Sequence, residues 1–347
     1  MKIIKRKAFL KEKEEVFEYS LTNNKGIEIN ILTLGGIITD IKVPDSNGVV
    51  ENVVVKWKDL NDYIDDSGYT GAIIGRNSGR IADGKVIIGD KTYELTKNQG
   101  INILHGGSNG FNKKIWKDSL SENENEVSLI LETYSNDGEE NFPGNLKVKV
   151  VYSLNDENEF SINYYGISDK DTILNMTNHS YFNLSGDMKR NILDENLIVS
   201  ADKIATIRQD SALSGELINV KDTPFDFNSI KKIGKDIHGE HEQICLGNGY
   251  DHPWVLNQGD GYNIKLEDDI SGRVMEIYTD RKAVVIYSTN FPENKELFTG
   301  RKLSKNDAIC FETQNLPIAK DCKFIEDSLI KKGQKYRATT MFKFYCK

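Results

Sequence analysis

Chemistry in this sequence concentrates in two histidines and one glutamate. Asn102-Ile103-Leu104-His105-Gly106-Gly107 and Thr177-Asn178-His179-Ser180-Tyr181-Phe182-Asn183-Leu184 carry two of the chain's 5 histidines. Each imidazole sits among small, turn-forming and hydrogen-bonding residues, the setting in which a ring is presented to a ligand. Far downstream, Ile309-Cys310-Phe311-Glu312-Thr313-Gln314 holds a lone carboxylate in an uncharged stretch. A glutamate flanked by Phe and Cys is a candidate for desolvation, and beside an imidazole it makes an acid–base pair. An unpaired buried glutamate costs several kcal/mol, so Glu312 needs a partner or a role.

Other segments offer binding groups. Gly75-Arg76-Asn77-Ser78-Gly79-Arg80-Ile81 sets two arginines four apart among small residues, a donor fork for a polyol. Gly249-Tyr250-Asp251-His252-Pro253 puts a carboxylate at a rigid turn, where it could accept hydroxyl hydrogen bonds. Taken singly, each has an ordinary alternative: solvated surface arginines, a turn histidine, a satisfied core histidine, a structural Asp-His-Pro turn. Other patterns are weaker still. Gly106-Gly107-Ser108-Asn109-Gly110 matches the nucleophile-elbow spacing, but the chain lacks the repeating strand–helix units that place such a serine. His238-Gly239-Glu240-His241 has neither zinc-protease spacing nor an evident third ligand, and reads as a solvated acidic loop.

The elements that must position these groups are strands. Leu146, Val148, Val150 and Tyr152 alternate with Lys147, Lys149 and Ser153, Val151 being the one apolar exception, and Phe160, Ile162 and Tyr164 do so after the Asp156-Glu157-Asn158 turn. Tyr336, Ala338, Thr340, Phe342 and Phe344 share a strand face. Lys85–Leu95 reads as a hairpin turning at Gly89-Asp90. Helices look few and short, with the best candidates around Asp59–Ile64 and Ser229–Ile237. No linker or repeat divides residues 1–347, so one large antiparallel β-sandwich domain is expected, its sheet faces forming a groove that gathers residues from distant segments.

Composition narrows the partners. Hydrophobic residues at 38% plus 28 Gly are enough for a self-sufficient core. A net charge of −8 argues against nucleic acid or an anionic membrane surface, and favours a neutral substrate. No apolar run reaches the roughly 18 residues of a membrane span, and the start lacks a signal-peptide core. Cys245, Cys310, Cys322 and Cys346 show no disulfide or metal spacing. A soluble cytoplasmic protein is expected.

Six segments in order carry a resemblance: Gly75–Ile81; Asn102–Gly107 with Gly110-Phe111-Asn112-Lys113 and Trp116; Asp137–Gly144; Thr177–Leu184; Tyr250–Pro253; and Phe311–Gln314. Together they resemble the galactose mutarotase (aldose 1-epimerase) family over nearly the whole chain. The resemblance implies an all-β supersandwich with an open groove for a hexopyranose such as galactose or glucose. It implies Glu312 as general base and His179 as general acid, with His105, Arg80 and Asp251 holding sugar hydroxyls and ring oxygen. No cofactor or metal is implied, because no electrons or groups are transferred; the chain would be a monomer or homodimer. Two departures stand out. Gly79 replaces the Asn common before the arginine, and Asn315-Leu316-Pro317-Ile318-Ala319 departs from the family's usual run; the first could change sugar preference. Ordinary pKa values of about 4.3 for Glu and 6.5 for His put an ionised pair between them. The alternatives are a hexose 6-phosphate epimerase, which would need converging arginines (Arg208, Arg273, Arg281 and Arg301 being the candidates), and a non-catalytic sugar-binding module, which would not need Glu312.

Overall fold

Period-two patterning becomes antiparallel sheet from the first strand, Lys2–Lys11, to the last, Lys335–Cys346. The computed structural model describes all 347 residues. Leu146, Val148, Val150 and Tyr152 are buried on one face of the strand Leu146–Asn155, while Lys147 is exposed. The same holds for Phe160, Ile162 and Tyr164 on Glu159–Ser168, and for the five alternating residues of Lys335–Cys346. The Lys85–Ile88 and Lys91–Glu94 hairpin forms with Gly89-Asp90 as its turn.

Three sheets build the body. A nine-stranded sheet runs in the order Lys117–Glu122, Glu126–Ser135, Leu146–Asn155, Glu159–Ser168, Lys335–Cys346, Arg273–Thr279, Ile264–Glu267, Asn196–Val199 and Lys231–Lys232, antiparallel throughout. A five-stranded sheet is formed by the first strands, Lys2–Lys11 to Val50–Asn52. A six-stranded sheet runs Tyr181–Phe182, Ile309–Gln314, Ala283–Tyr287, Asp251–Leu256, Ala201–Ile207, Leu213–Asn219. One cluster of 55 buried hydrophobic residues draws on all three, from Ile29 and Ile31 through Leu129 and Val150 to Trp254 and Phe311. Alternation leaves the opposite face of the six-stranded sheet free to carry polar groups.

Helices are few and short, as expected, but differently placed. Asp59–Ile64 holds one 3-10 turn, Leu60–Tyr63, started by the Asp59 carboxylate accepting from the Asn61 N–H. Of Ser229–Ile237, only Ile233–Lys235 forms a 3-10 turn, and Lys231–Lys232 joins the sheet instead. The α-helix is Glu242–Gly247, six residues long. The His241 ring accepts the Gln243 N–H at its start, and Asn248 closes it at φ 54°. A histidine acting as cap is a poor sequence signal, which is why the helix escapes a periodicity reading.

Arg76 is not part of a sugar-binding fork. Its guanidinium is buried and braces a corner of the fold, donating to the Ser135, Asn136, Pro143 and Gly144 carbonyls and to the Ser135 and Thr172 hydroxyls at 2.8–3.3 Å. Four of these acceptors are main-chain oxygens that water cannot replace without opening the corner. Arg76→Ala is therefore expected to cost about 3 kcal/mol or more of unfolding stability, read from urea denaturation; a loss under about 1 kcal/mol would mean that the corner holds without its brace.

Candidate active site

Strand register gathers the site on the outward face of the six-stranded sheet. Asp251 pairs with Tyr287, Tyr287 with Cys310, and Cys310 with Tyr181, so these four form one row. Pro253, Val285 and Glu312 form the next. Paired residues across antiparallel strands share a face, so two rows of one sheet deliver the carboxylates of Asp251 and Glu312 together. His252, one residue on, points the other way. It is buried against Phe225, ring centroids 4.9 Å apart, and its Nδ1 accepts the Asp251 N–H at 3.1 Å. Asp251 thus opens a strand rather than sitting on the expected turn.

The imidazoles arrive from the loops above the sheet. His179 follows Thr177-Asn178, which pairs with Ile73-Ile74. Its N–H donates to the Ala72 carbonyl and its carbonyl accepts from Gly71 N, both at 2.9 Å. Asn178 and Ser180, the small polar neighbours, shape this turn: the Asn178 amide donates to the Gly71 carbonyl at 2.7 Å, and the Ser180 hydroxyl donates to Asn178 Oδ1 at 2.6 Å. His105 follows Leu104, which pairs with Arg80, and stands at φ 52°. Gly106 makes that turn feasible, since a Cβ there would lie 2.0 Å from the Gly75 carbonyl oxygen.

All five expected site residues line one open cleft. His179 Nε2 lies 3.4 Å from Glu312 Oε1. The His105 and His179 rings meet edge to face at 5.2 Å. Arg80 donates from Nε to Gln99 Oε1 at 2.6 Å and brings Nη1 within 3.7 Å of Asp251 Oδ2. Glu312 Oε2 is buried without a protein partner, which leaves it free for a ligand hydroxyl. Ser108 of the elbow-like pattern is exposed and lies outside the cleft, as do the exposed His238 and Glu240.

Electrostatics reverse the expectation from free side chains. Burial pushes Glu312 up to about 8, with the Asp251 charge adding to the shift and Arg80 opposing it. Burial pushes His179 down to about 4, against a backbone hydrogen bond within its own residue. Between those values the pair holds one proton, resting on the carboxyl rather than the ring. Asp251 is raised by burial and restrained by Arg80. His105 is held well below the usual range by burial, then by His179 and Arg80 beside it.

His105, His179 and Glu312 bring three metal-ligand atoms within 4.8 Å of one another. The donor set does not fit a metal. The Gly79 N–H donates to His105 Nδ1 at 3.2 Å, so the neutral ring keeps its proton on Nε2 and has no lone pair to offer there. The same bond makes His105 a hydrogen-bond donor to whatever occupies the cleft.

Sequence reading missed the aromatic walls Tyr69, Tyr181 and Tyr287, the exposed Phe291 at the mouth, and Gln99 behind Arg80. Nothing in their local sequence sets them apart from core aromatics. Gly79 and Pro317, noted as separate departures, meet in space. Gly79 stands at φ +70°, and a Cβ on it would lie 2.6 Å from Pro317 Cγ. Gly79→Ala is expected to lose about 1–2 kcal/mol from the left-handed backbone alone, and to weaken ligand binding by shifting the N–H that orients His105. Urea titration with ligand titration checks both, and a silent Gly79→Ala would rule out the wall as a rigid contact.

Three comparisons bear on the chain. The family model described as aldose 1-epimerase matches residues 18–343. Galactose mutarotase of Homo sapiens is 35% identical over 321 residues, 92% of this chain and 91% of that protein. Aldose 1-epimerase of Escherichia coli K12 is 30% identical over 330 residues, 94% of each. Among solved structures, galactose 1-epimerase from Lactobacillus acidophilus superposes with a TM-score of 0.91 at 28% identity, covering 99% of both chains.

Proposed function

The chain belongs to the aldose 1-epimerase family, and we propose that it interconverts the α and β anomers of aldohexoses such as D-galactose and D-glucose with Glu312 as base and His179 as acid. The observation that carries this reading is the buried carboxylate–imidazole contact of 3.4 Å at the floor of an open polar cleft. Chain length, core and family match all support a single working unit of residues 1–347.

The mechanism follows from proton balance. The bound pair first redistributes its one proton, giving carboxylate and imidazolium. Glu312 takes the proton of the anomeric hydroxyl as His179 gives its Nε2 proton to the ring oxygen. The C1–ring-oxygen bond breaks and the open-chain aldehyde forms. The pair is then neutral again, carboxylic acid and imidazole, which is the form that burial favours. The pair thus starts and ends neutral, and the ion pair is the state passed through as the proton moves across the sugar. Rotation about C1–C2 presents the other carbonyl face, and the transfers run in reverse to close the ring. His105, a fixed donor, and the Arg80–Asp251 pair hold hydroxyls and ring oxygen while the chain is open. Only protons move, so the residues present suffice without a cofactor.

The alternatives lose ground on specific observations. A 6-phosphate would need converging cations, yet Arg80 is the one cation lining the cleft. Arg208, Arg273, Arg281 and Arg301 each engage an acid elsewhere, at Asp210, Glu51, Asp280 and Asp307. A binding module has no use for a desolvated glutamate against a histidine. Four free thiols support a reducing, cytoplasmic setting. No helix is long and apolar enough to cross a membrane. The acidic balance speaks against nucleic acid as a partner. Monomer and homodimer both remain compatible with the cleft.

Polarimetry on freshly dissolved α-D-galactose and α-D-glucose tests the function. Wild-type protein is expected to accelerate mutarotation, and Glu312→Gln to lower kcat by roughly 10²–10⁴-fold. Near-full activity in that variant would sink the role of Glu312. The pH profile of kcat/KM is expected to be bell-shaped. Below about 4 the ring takes a second proton and no base remains; above about 8 the carboxyl gives up the last proton and no acid remains. A profile falling between pH 5 and 7 would contradict the shared-proton state.

A further inference from the structure

The two cleft histidines are backed by different chemistry. Behind His105 stands the Gly79 N–H, which can only donate, so that Nδ1 is bare. Behind His179 stands a thiol: Cys310 Sγ lies 3.5 Å from Nδ1, within hydrogen-bond range for sulfur, and Cys310 is fully buried. Cys310 and Glu312 are two residues apart on the same face of the strand Ile309–Gln314. One strand face therefore touches both nitrogens of the His179 ring, Glu312 at Nε2 and Cys310 at Nδ1.

We propose that Cys310 is a positioning residue whose sulfur accepts the Nδ1–H of His179, so that the neutral ring turns a bare Nε2 toward Glu312 and the sugar. The inference rests on His179 being the acid of the reaction above. Imidazolium carries a proton on each nitrogen. When Nε2 gives its proton to the ring oxygen, the Nδ1 proton stays, and the neutral ring left behind is the Nδ1–H form. That form needs an acceptor behind it. On ring closure Nε2 takes the proton back, and Nδ1 never changes. A donor in this position, as behind His105, would hold the ring in the opposite tautomer and leave Nε2 unable to receive that proton. Sulfur is also a weak, uncharged acceptor here, because burial keeps the thiol protonated. Unlike a carboxylate, it holds the ring's orientation without stabilising imidazolium, so His179 remains a strong acid. The other polar groups around the ring, His105, Tyr69, Tyr181 and Tyr287, meet it through ring faces and edges.

Nitrogen-15 spectra of the labelled full chain near pH 6 read the tautomers directly. His179 is expected with its proton on Nδ1 and His105 with its proton on Nε2. Cys310→Ser keeps an acceptor and is expected to keep the tautomer and most of kcat. Cys310→Ala is expected to lower kcat roughly 3- to 10-fold, the worth of one hydrogen bond, with KM little changed and His179 mixed between tautomers. A wild-type His179 protonated on Nε2, or a Cys310→Ala protein with unchanged tautomer and kcat, would overturn the proposal. Should Cys310→Ala fail to fold, the wild-type spectrum and the serine variant decide the matter. The stated tautomers in a wild type that does not accelerate mutarotation would overturn the reaction assignment instead, so the two failures are separable.

Discussion

Everything in the cleft depends on a carboxyl and an imidazole being buried against each other with one proton between them. In water, glutamate and histidine near neutrality would be an ionised carboxylate and a largely neutral ring. Removed from water, each resists its charge, and the pair does better by sharing the proton than by separating it into ions. The ion pair is therefore the costlier of the two arrangements, which the proposed reaction passes through rather than rests in. The surrounding structure serves this arrangement. The sheet supplies a rigid, dry floor; His179 is anchored by main-chain bonds to Gly71 and Ala72; and Arg80 opposes the upward pull of burial on the Glu312 and Asp251 carboxyls.

Much of the fold was legible in the sequence because sheets write themselves in period two. The strands around Leu146, Phe160 and Tyr336 emerge where the alternation places them. Helices were less legible, since the one α-helix is too short for periodicity and is capped by a histidine. The site divided along a similar line. Glu312, His179, His105, Arg80 and Asp251 could be named because their residue types are costly or unusual in their local settings, and the family resemblance supplied their roles. Arg76 looked like Arg80 in sequence and differs from it completely in space, one guanidinium wrapped in carbonyls and the other opening on the cleft. Residue type alone does not distinguish those fates; the identity of the nearest acceptors does, and these lie about 60–100 positions away. The charge states were misjudged for a related reason. Free-solution pKa values describe a solvated glutamate, and burial is a property of the assembled sheets.

The contact between Gly79 and Pro317 shows how two local departures can be one structural fact. A backbone in the left-handed region and a proline ring across from it fill the same space, and the Gly79 N–H that this conformation directs is the one that sets His105. The wall on that side of the cleft is thereby built from main-chain geometry and an apolar ring rather than from a polar side chain.

The strand Ile309–Gln314 carries a double reading of its own six letters. Glu312 faces the cleft and Cys310, on the same face, lies behind His179, while Ile309 and Phe311 fill the common core and Thr313 bonds to Thr340 of the neighbouring sheet. Gaining or losing a single residue here would exchange the two faces at once, sending the carboxyl into the oil and the phenyl ring into the sugar's path. Such a strand can drift by substitution but not by slippage, so variation in length among related chains should gather in the loops that carry the histidines and leave this segment's spacing alone.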